Sequence, residues 1–435
     1  MRISAGVPWR GAALAFTLAA ASVVAWAATP TFWTVATQSA FLKGDVEDLS
    51  IDSDGRVFLG PAPALLAETA APFLWTVLAL PDGSIVAGSG NEGKVLKVGR
   101  DGKLSTLFDA AELEVHAIAP APGGGLYVAT SPDGRIYQVG ADGASKVFFD
   151  PDDKYIWALA TDKAGNVFAA TGDKGVVYKI TPAGNGTVFY KTNTTNVVSL
   201  AVAPTGDLIA GTESPGRLFK LDATGKPFVL LDSPYREIHS IRVAPDGTIY
   251  AAAMNGAGGD RPVERSAPEP DRPPVPSVST EITAVGVVDS PPSQTPAPAT
   301  SRVRSSGRGA IYRVRPDGFW DPLWETGEDT PYDLIVEPSG TLLVGTGTSG
   351  KIFRISGDPA RATLVTRAAA RQVTALLREP SGRIIGATSN PGKLVALGAE
   401  PARRGTYDSD VRDAGTTATW GVIRWRAAGR PGQVQ

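Results

Sequence analysis

The sequence holds no cysteine and only two histidines, His116 and His239, among its 435 residues. Without cysteine there can be no disulfide, thiolate metal site, cysteine nucleophile or lipid-modified amino-terminal cysteine. Two histidines leave little material for a hydrolytic triad or a histidine-rich metal centre. No Gly-x-Ser-x-Gly elbow, His-Glu-x-x-His pair or phosphate-binding loop occurs. An excess of positive charge is also missing. Lys and Arg number 42 against 44 Asp and Glu, which argues against a nucleic-acid partner.

What is abundant is turn chemistry. The chain has 49 glycines and 35 prolines, with 43% hydrophobic residues to supply a core. A turn glycine recurs at Gly55, Gly83, Gly124, Gly165, Gly206, Gly247, Gly340 and Gly382, mostly 41 residues apart. The interval from Gly247 to Gly340 is 93, one repeat plus an insertion. Strand-like runs follow each glycine, such as Leu126-Tyr127-Val128-Ala129-Thr130 after Gly124 and, past a second turn glycine at Gly134, Ile136-Tyr137-Gln138-Val139. A period near 41 with about four short strands per unit predicts an all-β propeller of four-stranded blades. Eight turn glycines predict eight blades, the first (45–73) truncated, with Val57-Phe58-Leu59 as its second strand and Leu65-Leu66 in its third. Seven blades, with the short unit as a cap, is the alternative. The stretch Phe32-Trp33-Thr34-Val35 is expected to close the ring as an outer strand of the last blade.

Three segments fall outside the repeat. Residues 1–27 read as a secretory signal peptide: Arg2 and Arg10, an apolar run from Gly11 to Val24, and an Ala25-Trp26-Ala27 cleavage site. The run is short for a membrane span, so an uncleaved anchor is the lesser alternative, and the mature chain is expected in the periplasm or outside the cell. The propeller is expected over 31–400. Residues 256–308 carry ten prolines and read as a disordered insertion, with strand character at 280–288. The end, 401–435, carries Tyr407–Val411 and Trp420–Trp425, read as two strands of a β tail or of a further domain.

Superposing the repeats gives one column eight residues before each turn glycine: Glu47, Trp75, His116, Trp157, Val198, His239, Tyr332 and Thr374. Both histidines fall in it, beside two tryptophans and a tyrosine. Glu47, Trp75, His116, Trp157, His239 and Tyr332 form a candidate ring at the channel mouth, suited to stacking on a sugar, peptide or aromatic ligand. The alternative is that these side chains only fill the gap between blades. The insertion lies in a loop between second and third strands, on the face where inner strands begin, so it shares that face with the column. No catalytic or metal-binding set emerges. Asp52-Ser53-Asp54-Gly55 and Asp150-Pro151-Asp152-Asp153 resemble fragments of calcium loops but read better as Asx turns.

Pro245–Ala252 (Pro-Asp-Gly-Thr-Ile-Tyr-Ala-Ala) and Gly134–Val139 (Gly-Arg-Ile-Tyr-Gln-Val) resemble the repeats of NHL-type and two-component-regulator-type propellers over roughly 45–400. Related gluconolactonase and lyase propellers use a central metal held by acidic and Asn residues. The resemblance puts Glu47, Asp48 and Asp333 nearest such a role. The expected function is a non-catalytic scaffold binding an envelope or extracellular protein, peptide or glycan. A metal-dependent lactonase- or lyase-like enzyme is the alternative.

Overall fold

The computed structural model describes residues 32–255, 307–415, 417 and 419–427. The signal stretch 1–27 and the insertion, from 256 to 306, lie outside them. Among the described residues no helix is long and apolar enough to cross a membrane.

The described strands form seven antiparallel four-stranded blades. Their inner strands are Phe73–Ala79, Glu114–Pro120, Ile156–Thr161, Asn196–Val202, Glu237–Val243, Pro331–Val336 and Gln372–Arg378, in blades one to seven. Each inner strand lies against the next, and the seventh lies against the first, so the ring is closed. Thr374 Oγ1 donates to the Leu74 carbonyl across the closing seam. In blade five the second strand Ile249–Met254 pairs with Gly309–Val314, so the stretch between them joins the second and third strands of one blade.

The hydrophobic core is divided by the blades. Seven buried clusters occupy the seven seams, each built from two neighbouring blades. Second strands carry small residues where blades converge on the axis, such as Ala87, Ala129, Ala169, Ala210 and Ala251, all fully or almost fully buried. Larger Leu96, Phe219 and Tyr312 fill the seams further out, and Phe353 packs blade six against the amino-terminal arm. This taper lets flat sheets pack radially at interior density.

The start of the repeat differs from the expectation in two respects. Leu49–Ile51 and Val57–Leu59 do form a hairpin around Gly55, but it extends the outer edge of blade six through Ile51 opposite Leu364. It is not a truncated blade. The hairpin copies the blade turn, with the Gly55 amide bonded to the Asp52 carbonyl, and so matches the glycine count without the architecture. Ring closure comes from Pro61–Glu68, which pairs with Lys393–Pro401 as the fourth strand of blade seven. Phe32-Trp33-Thr34-Val35 is not a strand, and Gln38–Phe41 forms one short helical turn.

The tail is tied to this amino-terminal arm. Thr406–Asp408 pairs with Asp45–Glu47, and Tyr407 packs edge-on against Phe41 at 5.2 Å. Trp420 meets Trp33 at 5.4 Å, but 420–425 is not a strand.

A chain beginning at Gly60 should keep a cooperatively folded ring. One beginning at Thr69 loses the fourth strand of blade seven, leaves Leu394 and Val395 at an open edge, and should melt about 10 °C or more lower. Calorimetry of the two truncations checks this.

Candidate functional site

A β-bulge recurs at one position in every inner strand. Register against the second strand slips by one residue at Trp75, His116, Trp157, Val198, His239, Tyr332 and Thr374. The column read from the sequence is therefore the bulge column. A bulge leaves one residue out of the ladder and re-aims its side chain. The residue before each bulge, such as Leu74, Val115, Ile156 and Val197, is fully buried in a seam, whereas the bulge aromatics are half-buried.

The rings touch one another round the axis. Trp75 stacks with His116 at 5.7 Å, and His116 meets Trp157 edge-on at 4.6 Å. His239 meets Tyr332 edge-on at 5.2 Å. Val198 and Thr374 separate these into two arcs, on blades one to three and on blades five and six. Two residues before the bulge, a second row stands nearer the face. Phe73 stacks on Trp75 at 5.4 Å and Tyr155 on Trp157 at 5.3 Å, both nearly parallel. In the same row, Glu114 and Glu237 bond the histidines of their own strands. Gln372 Nε2 reaches the Tyr332 hydroxyl at 3.5 Å.

Five of the six candidates thus lie in one ring. Glu47 does not. It stands on the amino-terminal arm outside blade six, where its carboxylate accepts from Thr406 Oγ1 at 3.1 Å, because the unit that suggested it is not a blade. Sequence superposition also overlooked Phe73, whose place in the second row follows from the same period.

The large rings have a dedicated seat. Trp75 lies on Gly90, Trp157 on Gly172 and Tyr332 on Gly347, each at the end of its own blade's second strand, and an added Cβ would strike the ring. In the blades whose bulge residue is His116, Val198, His239 or Thr374, the same position holds Ser131, Glu213, Met254 or Ser389. Glycine occurs where, and only where, the bulge side chain is Trp or Tyr. The indole Nε1 atoms of Trp75 and Trp157 are buried against these glycines and find no protein acceptor. A buried donor without a partner costs about 1–3 kcal/mol.

The two Glu–His pairs differ in orientation. His116 uses Nε2, 2.6 Å from Glu114, while His239 uses Nδ1, 2.5 Å from Glu237. The bond from His116 holds the Glu114 carboxyl below its ordinary value, against an upward push from burial. An ionised carboxylate only accepts, so His116 Nε2 carries the proton. Burial pushes His239 down, but the charge and hydrogen bond of Glu237, with Asp333 and Glu213 behind it, raise it overall. Glu213 is itself held by Asn196 Nδ2 at 2.6 Å and Arg236 Nη2 at 2.9 Å.

The acidic residues suggested for a metal are engaged elsewhere. Buried Asp333 accepts from Ser240 Oγ at 2.6 Å, Arg242 Nη2 at 2.7 Å and the Leu376 amide at 2.8 Å, stitching blades five, six and seven. Asp48 is a turn residue with φ +54°, its carbonyl bonded by the Gly60 amide. Asp52 caps its own turn through the Asp54 and Arg56 amides, and Arg56 and Arg361 cover Asp54. Asp153 accepts from the Tyr178 hydroxyl at 2.6 Å, and Asp150 pairs with Arg135 at 3.2 Å. Among the described residues no group of three or more His, Asp and Glu is placed to hold a metal ion.

No protein-family profile matches the chain, and no curated protein sequence does. Solved structures do. A streptogramin B lyase structure is 10% identical, with a TM-score of 0.55 over 82% of this chain and 99% of that one. The WD40 β-propeller domain of Doa1 is 11% identical, with a TM-score of 0.55 over 78% of this chain and 98% of that one. The extracellular domain of a putative one-component system from B. thetaiotaomicron is 12% identical, with a TM-score of 0.53 over 77% of this chain but 39% of that one. The chain is a β-propeller. It resembles these structures in fold, in keeping with the resemblance of its repeats to those of two-component-regulator-type propellers.

Gly172→Ala should displace Trp157, cost about 1–3 kcal/mol and change the near-ultraviolet circular dichroism. Gly327→Ala, where an added Cβ meets nothing within 4 Å, should be near neutral. Denaturant melts of both variants check this.

Folding raises the proton affinity of His239, so its contribution to stability is fully present below the ordinary imidazole value of 6.5 and is lost as pH rises through the higher folded value. Nuclear magnetic resonance titration should place His239 above that reference, and Glu237→Gln should lower it.

Proposed function

We propose that this propeller is a secreted or periplasmic, non-catalytic scaffold that binds a protein, peptide or glycan at the channel mouth. The supporting observation is the cost built into the aromatic arc. Packing alone would favour aliphatic side chains without a hydrogen-bond donor. Instead Trp75 and Trp157 sit with unpartnered indole donors, each on a glycine that gives its strand no side chain. Such local costs are characteristic of sites held for recognition. The described ends of the insertion, Asn255 and Arg308, meet on this same face through the Asn255 amide and the Arg308 carbonyl. A long insertion beside an aromatic mouth suits a macromolecular or oligomeric ligand. The signal-like start of the chain supports export. The structural likeness to an extracellular domain agrees with it.

A lyase-like reading has less support, since Asp333 is fully bonded within the fold and each His–Glu pair stands on a different arc.

The test is a pull-down from envelope extract with residues 28–435, beside a Trp75→Ala/Trp157→Ala variant of equal thermal stability. A partner captured by the parent and lost by the variant is the expected outcome. A partner retained equally by both would move the site away from the aromatic arc.

A further inference from the structure

On blades one to three the two rows make a small array, and its middle member is a charge. Nearest the face stand Phe73, Glu114 and Tyr155, at the same repeat position on consecutive blades. Below them stand Trp75, His116 and Trp157. Phe73 and Trp75 form one parallel pair and Tyr155 and Trp157 another. His116 lies between the two pairs, in contact with both tryptophans, and fixes Glu114 through its 2.6 Å bond. The Glu114 side chain keeps 25% of its surface exposed.

Building on the reading of the mouth as a ligand site, we propose that this arc binds an organic cation, an ammonium group carried on the ligand. Aromatic faces attract cations through their quadrupoles, and a carboxylate among them, here shared with its His116 partner, adds negative potential. Aromatic walls with a fixed carboxylate favour a positive group and repel phosphate or carboxylate groups. Neither row of the arc contains Lys or Arg; exposed Lys154 stands one residue before Tyr155, and its counterpart Arg236, one residue before Glu237 on the other arc, pairs with Glu213. The other arc supplies an internal control. Glu237 makes the same kind of bond to His239, but its row neighbours on blades four and six are Asn196 and Thr330, which have no aromatic face.

The experiment is a calorimetric titration of residues 28–435 with choline, with N-acetyl-lysine methylamide, and with 3,3-dimethylbutan-1-ol, the neutral carbon analogue of choline. At least one cation should bind about fivefold or more tightly than the neutral alcohol. Which one binds distinguishes a quaternary head group from a lysine side chain. Glu114→Gln should weaken that cation about tenfold, and Phe73→Leu should weaken it as well, at unchanged melting temperature. Glu237→Gln should change it by less than about twofold. Equal binding of cation and alcohol, no binding of any probe, or equal losses at Glu114 and Glu237 would overturn the proposal. If the probes fail while partner capture still depends on Trp75 and Trp157, the mouth binds by stacking alone and only the cation is wrong.

Discussion

The β-bulge at the head of each inner strand is the constraint on which the rest depends. It occurs in all seven blades at one repeat position. A regular strand would send this residue to one blade face or the other, into the seams. The extra residue breaks that alternation, and the carbonyls near it lose ladder partners. Neighbouring blades meet some of these carbonyls: Ser199 Oγ bonds the Ile238 carbonyl at 2.7 Å, and Thr374 Oγ1 bonds that of Leu74. The defect that re-aims the side chain therefore also provides a bond between blades. Asp333 carries the same logic further, joining three blades with one carboxylate.

Given the bulge, each blade chooses what to present. Blades with a glycine at the end of the second strand present a large ring. The others present imidazole, valine or threonine and keep a side chain at that position. The scaffold is nearly uniform while its mouth is not. Among the inner strands, differences between blades concentrate in these two rows of side chains. The seams below keep one recipe of small residues near the axis and large ones outside.

Much of this was legible in the sequence because a repeat can be compared with itself. The period of 41 located the blades, and the superposed column found the bulge residues without revealing that they were bulges. Side-chain identity marks a position, but the slip of register is a property of the backbone ladder. The arm misled for a physical reason. Asp52 and Gly55 make the same Asx turn as a blade hairpin, so 49–59 counts as a repeat although it only lengthens the edge of blade six. Closure by Pro61–Glu68 was hidden because outer strands are half-exposed and variable. The match shows only in register, where Leu66 takes the bulge position that Leu107 and Phe148 take in other fourth strands. The link between Gly172 and Trp157 was present in the letters, fifteen residues apart, but only geometry gives it meaning.

The bulge leaves Trp75 and Trp157 half-buried at the mouth instead of sealing them between blades. Fluorine resonances of 5-fluorotryptophan protein, assigned with Trp75→Phe and Trp157→Phe variants, can be followed as a soluble nitroxide is added. Both resonances should show clear relaxation, weaker than that of Trp320, which is 48% exposed, but well above zero. Full protection of both rings would contradict it and leave the column as packing between blades.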